Sequence, residues 1–143
     1  MKTNNFEETQ KLGENFARSL LARPQRGPLI IALYGDLGSG KTTFVQGIAK
    51  GLGIKKRIIS PTFIMVRSYK LGVVSFYHID LYRVESEKDI EGLGIEEIIN
   101  NRNNIVVIEW AEKMGRLLPK NRIDVRFEYV AENRRLIIIK RYE

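Results

Sequence analysis

One stretch constrains this chain more than any other. Leu29-Ile30-Ile31-Ala32-Leu33-Tyr34 runs into Gly35-Asp36-Leu37-Gly38-Ser39-Gly40-Lys41-Thr42, and a helical pattern follows to residue 52. The apolar run is short enough for a strand, and its continuity suits a strand buried on both faces, as in a parallel sheet. After the glycines, Phe44, Val45, Ile48 and Leu52 recur at helical spacing, with Gly51 and Gly53 closing the segment. Strand, glycine loop and helix in direct succession, with two glycines separated by four residues and then Lys-Thr, form the phosphate-loop pattern. Glycine lets backbone N–H groups curl inward without Cβ clashes, and the helix that follows aims about half a positive charge at an anion. Chance would produce the pattern in about one chain in two hundred of this length at average glycine content.

Asp36, Leu37, Gly38, Ser39, Gly40, Lys41, Thr42 and Thr43 are therefore the candidate nucleotide ligands. Lys41 is expected to bridge the β- and γ-phosphates and the Thr42 hydroxyl to ligate magnesium, which takes hard oxygen ligands. Gly38 is not required by the bare pattern and adds backbone freedom to the nest.

The remaining pattern supplies the frame. Phe6, Leu12, Phe16, Leu20 and Leu21 predict a helix over residues 6 to 23 with one buried stripe, which Pro24 helps to stop. Segments 63–70 and 73–81 flank Gly72, and 123–130 and 136–142 flank Glu132-Asn133-Arg134, so each pair predicts a hairpin. A short helix over 94–100, a buried strand over 105–108 and a helical stretch to Leu118 complete the reading. The expected fold is α/β, three-layered and like that of the phosphate-loop NTPases, a mixed sheet with a parallel core and antiparallel hairpins in a single domain over residues 1–143.

A phosphate loop binds but does not by itself hydrolyse, so other groups are needed. Ligands in open parallel sheets sit beyond the carboxyl ends of strands, and Glu109 stands at such an end after Ile105 to Ile108. An acid there holds magnesium through water or orients the attacking water; the sequence leaves both open. Trp110 either stacks on a base or packs. Along Phe76 to Tyr82, period two sets Tyr77, Ile79 and Leu81 on one face and Phe76, His78, Asp80 and Tyr82 on the other. Such a polar row is costly to bury unless paired or used. Asp80 is a candidate to polarise water or help hold magnesium; equally it pairs with Arg83, Tyr82 or His78. His78 stands alone, with no zinc-type cluster around it. Ser60-Pro61-Thr62-Phe63 lies about twenty residues past the loop, where nucleotide switches often place a threonine that senses the γ-phosphate; a proline turn is the plainer account.

Composition excludes several classes. In 143 residues, 43% hydrophobic and 29% charged is ordinary globular content, not disorder or a low-complexity repeat. The absence of cysteine excludes disulfides, thiolate metal sites and a cysteine nucleophile. No apolar run approaches the roughly 18 residues of a membrane span, and the first residues lack a signal peptide's apolar block, so a cytoplasmic location is expected. The net charge is +7 and the pI about 9.7, a balance that favours polyanionic partners. Six acids against one base lie in 85–100, and nine bases against five acids in 112–143, so an acidic and a basic face are expected. The Arg134-Arg135 and Lys140-Arg141 pairs suit either a phosphate backbone or protection of a hairpin edge.

Taken together and in order, Gly35 to Thr43, Ser60 to Phe63, His78-Ile79-Asp80-Leu81-Tyr82-Arg83 and Glu109-Trp110 resemble the bacterial TsaE family across essentially the whole chain. The resemblance implies a magnesium-dependent ATPase of the pathway that makes threonylcarbamoyladenosine beside the tRNA anticodon. It implies the partners TsaD and TsaB, with TsaD transferring the threonylcarbamoyl group, and tRNA as the pathway's substrate. Under it, Lys41 and Thr42 serve the phosphates and magnesium, Glu109 supports the metal, Asp80 is catalytic, Thr62 belongs to a switch-like segment with Ser60, and Trp110 joins the site. Ala111 stands where many members have proline, which removes no catalytic group. No arginine finger stands out, so slow hydrolysis alone and stimulation by partners is expected. The competing readings are a small-molecule kinase, which needs a substrate pocket and a basic lid where this chain is acidic, and a nucleotide-sensing adaptor that does not hydrolyse. A GTPase lacks support because no Asn-Lys-x-Asp segment is present.

Overall fold

The computed structural model describes residues 1–23, 27–36, 38–55 and 66–142. Its elements are β1 (Lys2–Thr3), α1 (Phe6–Leu21), β2 (Leu29–Tyr34), α2 (Lys41–Gly51), β3 (Val66–Leu71), β4 (Val74–Asp80), α3 (Glu87–Glu91), α4 (Ile95–Asn100), β5 (Asn104–Glu109), a 3-10 helix (Ala111–Leu117), β6 (Arg122–Ala131) and β7 (Arg134–Tyr142). The strands form one seven-stranded sheet in the order β1-β7-β6-β2-β5-β4-β3. β2 and β4 both run parallel to β5, while β3 with β4 and β1 with β7 are antiparallel, so the mixed α/β sheet expected from the sequence is present. Among the described residues no helix is long and apolar enough to cross a membrane.

Backbone contacts divide the chain into two compact units. The first comprises Met1–Pro24, Gly35–Ser60 and Arg126–Ile138. Asn5 caps α1 by accepting the Glu8 N–H at 2.8 Å, leaving one fewer orphan donor at that end. The buried side of α1 is Thr9, Gly13, Glu14, Ala17 and Leu20. The predicted stripe is therefore corrected: Phe6 and Leu21 are exposed, and Leu12 and Phe16 half-buried. Small residues take the buried side because α1 and α2 touch at backbone distance. A Cβ on Gly13 would strike the Phe44 carbonyl, one on Gly47 the Gln10 carbonyl, and one on Gly51 would sit 2.5 Å from the Glu14 carbonyl. Gly51 thus serves the crossing, while Gly53, at φ +85°, takes the left-handed turn after the helix. Phe44 anchors this unit, 5.6 Å from the Phe16 ring and 5.4 Å edge-on from Phe127.

The second unit comprises Gln25–Tyr34, Pro61–Val125 and Ile139–Glu143. Register assigns its faces. Ile30, Val106 and Tyr77 share one row and Ala32, Ile108 and Ile79 the next. On that side Ile30, Ala32, Ile79, Val106 and Ile108 pack with Leu81 and Val84 and with Ile90, Ile95, Ile99, Ala111 and Met114 from the helices. The other face carries Leu29, Ile105 and Phe76, then Ile31, Val107 and His78, then Leu33, Glu109 and Asp80. Every one of these is buried, as strands inside a parallel sheet require. The Gly72 hairpin forms with Leu71 across from Val74, and Gly72 supplies the positive φ of +74°.

Candidate functional site

In the first unit the loop from Gly35 to Thr43 leads into α2. Gly35, Gly38 and Gly40 have φ of +150°, +77° and +100°, conformations in which a side chain is strained. At Gly35 space matters as well, for a Cβ there would come within 2.7 Å of the Ser39 hydroxyl and 2.9 Å of the Phe127 carbonyl. The Ser39 N–H donates to the Asp36 carbonyl at 3.1 Å, and the Phe44 N–H to the Gly40 carbonyl at 3.0 Å, which starts α2. Lys41 is buried, its ammonium folded back onto the Gly35 carbonyl at 2.5 Å. Thr42 is half-buried, Thr43 buried, and Asp36 and Gly38 exposed. The Ser39 hydroxyl is buried without a hydrogen-bond partner among the described residues. Leu37, Ser60 and Thr62 lie outside the described residues.

A residue from outside the loop joins it. Arg135, on β7, donates through Nη2 to the Gly38 carbonyl at 2.8 Å. Its place beside the loop depends on the β6–β7 pairing, which carries no local signal at Arg134-Arg135. Other arginines meet acids: in the second unit Arg122 Nε donates to Asp124 at 2.8 Å, and that bond holds the Arg122 guanidinium above its ordinary value.

In the second unit the carboxyl ends of the parallel strands gather the remaining candidates. Glu109 lies across from Leu33 on one side and Asp80 on the other, so both acids belong to one row. His78 Nε2 meets the Glu109 carboxylate at 2.5 Å, and both side chains are buried. A buried carboxylate requires such a partner, because removing it from water costs several kcal/mol when unpaired. The His78 Nδ1 has no hydrogen-bond partner among the described residues. Asp80 accepts the Tyr82 N–H at 3.0 Å. Of the partners weighed from the sequence, His78 is thus matched to Glu109, whose pairing the sequence reading did not foresee.

Immediately after Glu109, Trp110 adopts φ 59° and ψ 43°, a left-handed conformation that is an outlier for a bulky side chain. Such strain persists only where the surroundings impose it and concentrates at functional sites. The Trp110 ring lies 5.4 Å from that of Tyr82, and the Lys113 ammonium is 5.7 Å from both ring centroids while donating to the Tyr82 carbonyl at 2.5 Å. Chemically, the first unit offers a glycine-bent loop with a buried lysine and a buried serine hydroxyl at the start of α2. The second offers two carboxylates in one row and an aromatic pair beside them.

The chain as a whole is similar to known proteins. The family model described as "Threonylcarbamoyl adenosine biosynthesis protein TsaE" matches residues 3–137. A Rickettsia felis protein named "tRNA threonylcarbamoyladenosine biosynthesis protein TsaE" is 44% identical over 137 residues, covering 95% of this chain and 76% of the relative. The Bacillus subtilis protein of the same name is 37% identical over 136 residues, covering 95% and 81%. Among solved structures, the crystal structure of Bacillus subtilis YdiB superposes with a TM-score of 0.79 at 30% identity, covering all of this chain and 84% of that one. A family model matched over nearly the whole length, on a sheet and loop of the expected design, makes this chain a member of the TsaE family of threonylcarbamoyl adenosine biosynthesis proteins.

Proposed function

We propose that the protein is the ATP-binding and ATP-hydrolysing component of the machinery that makes threonylcarbamoyladenosine in tRNA, acting in the cytoplasm to support turnover of a TsaB–TsaD complex. The observation that carries this reading is the loop. Three glycines in positive-φ conformations, a buried Lys41 and a buried Ser39 hydroxyl without a partner among the described residues make a cradle whose groups suit phosphate oxygens.

In this reading the loop amides and Lys41 hold the β- and γ-phosphates, and Thr42 and Glu109 are the oxygen ligands for magnesium. Magnesium, when bound, neutralises phosphate charge. One of the two acids, Asp80 or Glu109, orients the attacking water and accepts its proton. Register sets the two acids side by side, since Asp80 on β4 lies across from Glu109 on β5. Ser60 and Thr62 form the switch-like segment, and Trp110 with Tyr82 lines the site. The His78 contact takes one Glu109 oxygen, which leaves the second for a metal or water.

Complementation tests the pathway. In a TsaE-depleted bacterium the wild-type chain should restore threonylcarbamoyladenosine, read by mass spectrometry of tRNA nucleosides, and Lys41→Ala should not. Restoration by Lys41→Ala to the wild-type level would refute a role for ATP.

A further inference from the structure

Among the described residues Arg135 is a cation that no acid pairs with. Its Nη1 donates to the carbonyls of Ala131 at 3.2 Å and Arg134 at 2.9 Å, and its Nη2 to that of Gly38 at 2.8 Å. The guanidinium carbon lies 5.0 Å from the Tyr129 ring centroid. Among the described residues its buried Nε has no hydrogen-bond partner, and no carboxylate forms an ion pair with it. Its Cγ and Nε stand 3.8 and 4.0 Å from where a Gly40 Cβ would be. A guanidinium keeps its charge at any physiological pH. Here it is held by neutral carbonyls and one ring, against a loop shaped for an anion.

Two consequences follow. The hairpin carbonyls and Tyr129 fix the guanidinium in place, so its bond to Gly38 is pre-organised from β7. The Gly38–Ser39 peptide is planar, so pinning the Gly38 carbonyl also holds the Ser39 N–H in its 3.1 Å bond to the Asp36 carbonyl and fixes the turn of the loop. No described carboxylate pairs with this charge, so it raises the potential at the loop, and phosphate is a fitting counter-charge.

The geometry points to Arg135 as a positioning residue of the phosphate loop, supplied in cis from β7, that fixes the Gly38–Ser39 peptide and adds positive charge for a polyphosphate. This inference rests on the loop reading given above. Calorimetric titration of the full chain with MgATP, at low and moderate salt, compares wild type with Arg135→Ala, Arg135→Lys and Arg135→Gln, and circular dichroism melting is recorded for each. Arg135→Ala should bind MgATP about tenfold more weakly. Arg135→Lys, which keeps the charge, should recover part of the loss, and more of it at low salt, where charge is less screened. Wild type binding with Arg135→Ala within twofold of it would overturn the inference while leaving the loop reading intact. So would equal losses in all three variants that track lowered melting temperatures. No binding by wild type would overturn the loop reading and this inference with it.

Discussion

The loop of the first unit and the strand ends of the second are built on opposite plans. In the loop the proposed phosphate ligands are backbone amides close together in the chain, with Lys41 as the principal side chain. At the strand ends the polar groups are side chains from separate strands, His78 and Asp80 on β4 and Glu109 on β5, aligned by parallel register and buried. A backbone cradle depends on conformation, so glycine geometry limits it. A buried side-chain row depends on pairing, so loss of one partner strands the other.

The strongest way to separate the two is by binding against turnover. Glu109→Gln and Asp80→Asn should leave MgATP affinity within a few-fold of wild type and lower phosphate release by about a hundredfold or more, the usual loss when a general base or charge-stabilising group is removed. Steady-state hydrolysis beside a binding titration reads both; unchanged hydrolysis in both variants would remove the two acids from catalysis, and binding without hydrolysis by wild type would identify a nucleotide-binding adaptor.

Next in size is the pairing itself. His78→Phe leaves the Glu109 carboxylate buried without its partner and should cost about 3 kcal/mol of stability. The double variant His78→Phe/Glu109→Leu should recover most of that, since an apolar pair has no charge to desolvate. Urea unfolding measures both, and a single variant as stable as wild type would remove the pair from the account.

Glycines give a smaller contrast within the first unit. Gly47→Ala meets the Gln10 backbone carbonyl, which cannot move aside as a side chain can, and should cost about 2 kcal/mol. Gly38→Ala has open space around it but a φ of +77°, so its cost should be nearer about 1 kcal/mol. Thermal melts rank the two, and the reverse order would mean that the α1–α2 crossing can relax. Lys113→Ala should change least, by under about 1 kcal/mol, and show chiefly as altered Trp110 fluorescence, because its cation stands over the Tyr82 and Trp110 rings.

The same contrast explains what could be read from the chain in advance. β2 was legible to the residue, Leu29–Tyr34, because a continuous apolar run followed by glycine has few other meanings. The loop was legible because its chemistry is contiguous. The β3–β4 turn at Gly72 and the β6–β7 turn around Asn133 followed from local turn residues. β1 was missed, since two residues carry no period, and α3 because five residues in an acidic stretch carry little apolar pattern. The α1 face was misjudged because hydrophobicity points to Phe6 and Leu21, whereas close backbone contact selects Gly13 and Ala17. The His78–Glu109 pair and the Arg135–Gly38 bond join residues 31 and 97 positions apart, which only the strand pairing brings together.

Everything functional proposed for the chain depends on the curl from Gly35 to Thr43 receiving a nucleoside triphosphate. Titrating the purified protein with MgATP in a calorimeter, beside Lys41→Ala, is the direct test. The account predicts saturable binding of one nucleotide per chain by wild type, lost in Lys41→Ala with the fold intact by circular dichroism. Absence of heat from the wild-type chain at millimolar MgATP, or equal affinity in the two proteins, would contradict it.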